Sequence, residues 1–434
     1  MLKIFASKIT PRIKYTFNVF FKHLIPIKFH ITNDKEEFLS HNGTKISYGE
    51  YFEDIPYFSA SDFLFKKGID FFEPKHVIDE DLQGFFPVYD KRSAFSFDVF
   101  AASFYLFSRY EEYLPFVKDI HGRFEAKESI LFRYNMLDRP WVNIYAINVK
   151  AIILNAYPDE EFKLTKYKFI PTYDIDSAFA HKEKGLVRWF GGLIKSIIHK
   201  EFDKAKDRLK TSLGKIKDPF DTFDYQLQLQ KDYELDVKYF ILFGDHGNYD
   251  KNIHINNETF KSLIKLLSDY AEVGIHPSYQ SNYSETILER EISNLSSVLH
   301  RDIVNSRQHF LKKNLPQTYR NLINLDIKND YTMGYATHTG FRAGVCSSYP
   351  FYDIESESET NLMIHPFAVM DCTLKSYMKL SQEEALENIS KLIDEVKKVH
   401  GTFISLWHNE TLSDMYEWKG WKIVYAQLVK MALP

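Results

Sequence analysis

Cysteine is nearly absent from this chain, with only Cys346 and Cys372 among 434 residues. Two cysteines are too few for a disulfide framework and lack the paired spacing of a thiolate metal site, so a reducing compartment is expected. Long hydrophobic runs are missing as well. No segment approaches the roughly 20 apolar residues that cross a bilayer, so no transmembrane segment is read. Apolar runs in the first 28 residues are broken by Lys3, Lys8, Arg12, Lys14 and Lys22, and no small-residue cleavage site follows. That pattern is not a secretory signal, and the expected location is cytoplasmic. The stretch from Tyr15 to Ile27 is still a candidate for a basic amphipathic helix lying on a membrane surface, a peripheral contact through the N-terminus. An excess of positive charge is lacking too: the net charge is −4 and the lysines are dispersed among acids. This excludes the basic footprint of a nucleic-acid binder.

Aromatic residues are plentiful, with 37 Phe and 28 Tyr. They suit rigid cores and also surfaces on which sugars stack. The length exceeds what one hydrophobic core usually supports, which predicts two domains. Residues 1–165 are irregular and aromatic, with one strong helical stretch at Ser96 to Tyr113, whose Phe97, Phe100, Phe104 and Phe107 recur at helical spacing as a core face. They are read as a smaller N-terminal α/β domain of unknown role.

From Lys166 onward, short apolar runs alternate with amphipathic helices, the pattern of a parallel sheet covered by helices. Seven strands are expected, at 167–172, 237–243, 272–275, 303–306, 330–333, 362–370 and 402–407. Helices are expected at 222–235, 258–270, 285–299, 317–325 and 382–399, the last opened by a capping box of Ser381 and Glu384. Residues 166–434 are therefore read as a parallel (β/α) barrel, of seven strands by this count, although an open doubly wound sheet has the same local signature.

Chemistry-bearing residues stand directly after these strands, where a parallel α/β fold gathers its site. The first strand ends in Thr172-Tyr173-Asp174-Ile175-Asp176, the third in His276-Pro277-Ser278, the fourth in Arg307-Gln308-His309 and the last in Trp407-His408-Asn409-Glu410. One carboxylate with two imidazoles suits a borderline divalent cation such as Zn2+, and Asp176, His276 and His309 fit that description. Asp174 is then free to accept a proton from water, with Arg307 holding it ionised, while His408 is placed to protonate a departing amine. Other candidates for the third ligand are His246, Gln280 and Ser281. Taken singly, each of these residues is more often a cap, a turn residue or a hydrogen-bonded structural group. Their recurrence at successive strand ends is what points to metal-assisted hydrolysis of an amide or ester.

Over roughly Lys166 to Pro434 the sequence resembles the polysaccharide deacetylases, the NodB-homology carbohydrate esterases. Thr172-Tyr173-Asp174-Ile175-Asp176 is similar to the family's opening motif, which implies Asp174 as base and Asp176 as metal ligand. Leu406-Trp407-His408 is similar to its closing motif, which implies His408 as general acid. The middle motifs depart. Where the family pairs two histidines four residues apart, His276 is followed by Gln280. Where it has Arg-Pro-Pro-Tyr, this chain has Arg307-Gln308-His309-Phe310, and His309 is inferred to restore the lost ligand. The resemblance further implies an oxyanion-binding backbone N–H at Phe310 and, less directly, Asp371 as the acid that tunes the catalytic histidine. Arg342, in Gly340-Phe341-Arg342-Ala343-Gly344, is a candidate substrate contact without a motif match. The implied activity is removal of N-acetyl or O-acetyl groups from a glycan or sugar-bearing intermediate. A non-sugar amide hydrolase, or a degenerate barrel that binds a glycan or a partner without turnover, are the alternatives.

Overall fold

A computed structural model describes residues 1–434. In the N-terminal part, strands β1 (Leu2–Ala6), β2 (Phe29–Thr32), β3 (Lys45–Tyr48) and β4 (Tyr57–Phe58) pair in parallel in the order β2-β1-β3-β4. A hairpin of β5 (His76–Asp79) and β6 (Leu82–Phe85) follows. The helix Val99–Phe107 starts where Asp98 accepts hydrogen bonds from the N–H groups of Phe100 and Ala101, and every one of its residues is buried. Against it packs the helix Pro11–Asn18, which continues into a looser turn at Val19–Leu24. Phe17 meets Phe100 edge-on at 4.8 Å. The membrane-surface expectation for Tyr15 to Ile27 is therefore corrected: Tyr15, Phe17, Phe20, Phe21 and Leu24 are buried in this aromatic core, and Lys22 is the one exposed residue of this stretch.

The second part carries a nine-stranded sheet. Its strands are β7 (Lys168–Ile175), β8 (Lys238–Ile241), β9 (Glu272–Ile275), β10 (Asn305–Ser306), β11 (Asn329–Asp330), β12 (Tyr349–Asp353), β13 (Ser358–Ile364), β14 (Val369–Met370) and β15 (Thr402–His408). They run in the order β12-β13-β11-β10-β9-β8-β7-β15-β14, and all pairings are parallel except β12 with β13. This order forces curvature. Strands β13 and β14 lie seven positions apart in the sheet, about 34 Å if it were flat at about 4.8 Å per strand. Only four residues, His365 to Ala368, join them, and such a link reaches about 18 Å at most. The sheet must curl back on itself. Backbone hydrogen bonds from Phe367 N–H to Met333 (3.1 Å) and from Ala368 N–H to Ile404 (3.0 Å) close part of the gap.

The helices Phe223–Tyr233, Glu258–Tyr270, Glu285–Leu299, Gln317–Asn324 and Gln382–Lys398 fall where the sequence places them, and the Ser381–Glu384 capping box forms. Two strands differ. The expected strand 362–370 is split by Pro366 into the end of β13 and β14, and β12 is additional.

The two parts share one continuous core running from Leu2 to Ala432. Tyr15 stacks on Tyr352 at 4.6 Å, and Arg12 pairs with Glu357. A buried charge cluster joins them as well. Glu112 accepts from Arg109 (2.7 Å), Arg342 (2.8 and 2.9 Å) and Lys313 (2.8 Å).

Candidate metal centre and active site

Successive side chains of a strand point to opposite faces, so Thr172, Asp174 and Asp176 share one side of β7 and its extension. That side looks into a cavity of about 150 Å3 lined by Asp174, Asp176, His276, His309, Phe310 and His408, among others. The in-register pairing of Asp174 with His408 on β15 sets the base and acid candidates side by side.

Asp176 is the hub of the first group. Its Oδ1 lies 3.3 Å from His276 Nε2 and its Oδ2 lies 3.4 Å from His309 Nε2. Each imidazole is oriented from behind. His276 Nδ1–H donates to the carbonyl of Arg307 at 2.6 Å, and His309 Nδ1–H donates to Asp250 at 2.8 Å. In its neutral form an imidazole has one N–H; with Nδ1 committed, the Nε2 atom of each ring, which faces Asp176, is the one that offers a lone pair once a cation takes the place of a proton. Oδ1 of Asp176 is buried with no hydrogen-bond partner, which is costly unless a cation completes it. Donor atoms of the three residues all fall within 4.8 Å of one another. Carboxylate and imidazole donors, backed by a second layer of acceptors, fit a divalent ion. Burial alone would raise the pKa of Asp176 and lower that of His309. Their mutual attraction wins, holding Asp176 well below the usual carboxylate range and, with Asp250, pushing His309 up to about 9.

Beside this group, Asp174 is buried and accepts from Arg307 Nη1 at 2.9 Å. Arg307 is itself fixed by Thr172 Oγ1 (2.7 Å) and the carbonyl of Tyr331 (3.0 Å), and its guanidinium lies over the Phe240 ring at 4.5 Å. On the neighbouring strand, His408 Nδ1–H donates to Asp371 at 2.9 Å, and Asp371 also accepts from the His408 backbone N–H (2.7 Å) and from Thr411 (2.6 Å). Burial opposes a charged His408, but Asp371 outweighs it and raises its pKa well above the ordinary imidazole value. Its proton on Nε2 faces the cavity. Asp371, Cys372 and His408 also cluster, yet this group does not fit an ion: Asp371 and Nδ1 are already hydrogen-bonded to each other, and burial pushes the Cys372 thiol up to about 12.

The remaining sequence candidates separate clearly. Phe310 lines the cavity with its backbone in the left-handed region at φ 59°. His246 and Gln280 are exposed, and Ser281 Oγ turns back to the carbonyl of Ser278 at 2.7 Å. Arg342 is corrected as a substrate contact. Its guanidinium grips Glu112 with two hydrogen bonds and the carbonyl of Gly334 with a third, is 2% exposed, and does not line the cavity.

Two residues of the site had no sequence signal. Asp250 sits in an irregular polar loop after β8, where no periodicity distinguishes a buried acid from a solvated one. Arg123 comes from the N-terminal part. It lines the cavity and donates to the carbonyl of Phe310 at 2.7 Å, so residues before 165 supply part of the wall.

Residues 2–158 match a family of unknown function (DUF7033). The curated proteins contain no match to the chain. Among solved structures, it is similar to a protein of Mycobacterium smegmatis described as a polysaccharide deacetylase, at 13% identity and TM-score 0.41, covering 62% of this chain and 85% of that one. It is also similar to Puue allantoinase, at 8% identity and TM-score 0.38, covering 62% and 83%. The polysaccharide deacetylase Bc1974 from Bacillus cereus matches at 10% identity and TM-score 0.28, covering 62% and 86%. Polysaccharide deacetylases thus stand among the solved structures that this chain resembles.

Proposed function

We propose that residues 166–434 form an open (β/α) barrel of the polysaccharide deacetylase kind, a metal-dependent hydrolase that removes N-acetyl or O-acetyl groups from a glycan or sugar-bearing intermediate. One observation carries this reading. A carboxylate and two imidazoles whose Nε2 atoms face it adjoin an Arg-held carboxylate, 3.7 Å from His276, and an Asp-held imidazolium, 4.0 Å from Asp176. A binding module has no need of both a base and an acid beside such a group.

Asp176, His276 and His309 would hold the ion, and three protein ligands of this kind favour Zn2+. A bound ion supplies polarisation of the acetyl carbonyl and a lowered pKa for water. Asp174, hydrogen-bonded by Arg307, accepts the proton of the attacking water. His408, kept protonated by Asp371, donates to the departing amine. The backbone N–H of Phe310 is assigned to the developing oxyanion, with the Arg123 side chain bracing the carbonyl of the same residue. The two free cysteines support a cytoplasmic setting.

Acetate release from N-acetylglucosamine oligomers, measured beside metal content, tests the assignment. Asp174→Asn is expected to abolish release and keep the ion, whereas Asp176→Ala loses both. Loss of the ion in Asp174→Asn would mean that the two carboxylates are reversed.

A further inference from the structure

Between Asp176 and the helix Phe223–Tyr233 the chain inserts two helices, Gly185–Ile198 and Phe202–Ser212, that no step of the reaction uses. They pack on each other, Trp189 Nε1–H donating to Ser212 Oγ at 2.7 Å. Their outer side is left uncovered. Leu186, Val187, Phe190, Ile194 and Ile198 are exposed at 78, 87, 54, 56 and 71%, and Leu213 just beyond the second helix at 69%. At 100° per residue the five positions of the first helix fall within one arc of about 120°, with Arg188 and Lys195 next to it on the polar side. Single exposed apolar residues need no explanation, but a contiguous apolar stripe along a helix does.

Charge says what covers it. From Lys182 to Lys217 there are eleven Lys and Arg against four Asp and Glu, a net +7, in a chain whose total is −4. A second copy of this chain would bring the same +7 to the contact, whereas an anionic bilayer supplies apolar depth for the stripe and negative headgroups for the lysines. We infer that the helix pair 185–212 is an interfacial anchor that docks the protein on an anionic phospholipid surface. The insert is tied to the pocket rim: Asp218 accepts from the N–H groups of Ala180, His181 and Lys182 at 2.6 to 3.0 Å, and Asn409, next to His408, donates to the carbonyl of Phe220 at 2.8 Å. Because it leaves the sheet at the strand end that carries Asp176, docking holds the pocket close to the lipid plane, suited to a substrate carried on or beside the membrane.

Sedimentation of the full chain with vesicles tests this without reference to catalysis, so it fails or stands independently of the deacetylase reading. The parent is expected to pellet with vesicles containing about one-quarter phosphatidylglycerol, weakly with pure phosphatidylcholine, and less as salt screens the lysines. Phe190→Glu/Ile194→Glu should weaken vesicle binding by roughly a hundredfold, since each apolar anchor accounts for about tenfold or more. Lys195→Glu/Lys200→Glu should remove the preference for anionic lipid. All four positions are exposed, and an unchanged far-UV CD spectrum confirms folding. A parent that stays in the supernatant with anionic vesicles, or a Phe190→Glu/Ile194→Glu protein that pellets like the parent, overturns the inference. So does a solution dimer that this double variant dissolves in a protein without vesicle affinity, because the stripe then belongs to a second copy.

Discussion

Removing Asp250 probes the metal centre from behind without touching a ligand. Its Oδ1 accepts from His309 Nδ1–H at 2.8 Å and also from the Tyr279 backbone N–H at 2.9 Å, and the residue is 1% exposed. In Asp250→Ala the imidazole loses the partner that fixes its tautomer, so the ring can rotate or carry its proton on Nε2, where it cannot bind a cation. Such outer partners of ligating histidines are worth about 10–100-fold in metal affinity, or roughly 1.4–2.8 kcal/mol. Asp250→Asn keeps an acceptor of the same shape but removes the charge, so its loss is expected near the lower end. Competition with a chromophoric chelator measures Zn2+ affinity for the parent and both variants, with His246→Ala as the exposed control. If Asp250→Ala binds Zn2+ within twofold of the parent, His309 is not oriented by Asp250, and the three-residue centre loses its best structural support.

Metal binding should also be linked to pH, because His309 carries a proton up to about pH 9 in the ion-free protein and must lose it to bind. Zn2+ affinity is expected to rise by about tenfold per pH unit below that value, with close to one proton released, which calorimetry in buffers of different ionisation enthalpy reads directly. Asp371→Asn removes the charge that raises the His408 pKa, so the alkaline limit of amide hydrolysis should move to lower pH. His408→Ala should cost roughly 10²–10⁴ in amide turnover and much less with an activated ester, as parallel rate measurements will show; equal losses would remove its role as acid. In the buried cluster, Glu112→Gln leaves Lys313 and Arg342 without a carboxylate partner and Arg109 with Glu111 alone. The expected cost is about 3–5 kcal/mol, a fall in Tm of roughly 3–6 °C for a chain of this length, read by calorimetry.

The site was legible in the sequence wherever it is local to a strand. The spacing of Asp174 and Asp176 states by itself that both point the same way, and Leu406-Trp407-His408 reads as a strand delivering its last residue to the sheet end. His309 was reachable because consecutive strand ends are neighbours in a parallel sheet. Partners that come from elsewhere were not legible. Nothing in Gly340-Phe341-Arg342 says that its arginine meets Glu112, 230 residues earlier in the chain, and Asp250 and Arg123 lie in loops without periodicity. Strand β12, Tyr-Pro-Phe-Tyr-Asp, escaped because its proline argues against a strand interior and is tolerated only at the sheet edge where it lies. The stretch Tyr15 to Ile27 reads as amphipathic because it overlaps a helix, Pro11–Asn18, with one buried face; the aromatic partner of that face, Val99–Phe107, lies far along the chain.

If Asp176, His276 and His309 hold an ion with which this chain hydrolyses an acetyl group, activity must follow the metal. Acetate release from N-acetylglucosamine oligomers by the purified full chain, followed through chelator treatment and re-addition of Zn2+ with Asp176→Ala in parallel, tests it most directly. Release that chelation stops and Zn2+ restores is expected from the parent, and none from the variant at any stage. Release that survives chelation, or that Asp176→Ala retains, would contradict it.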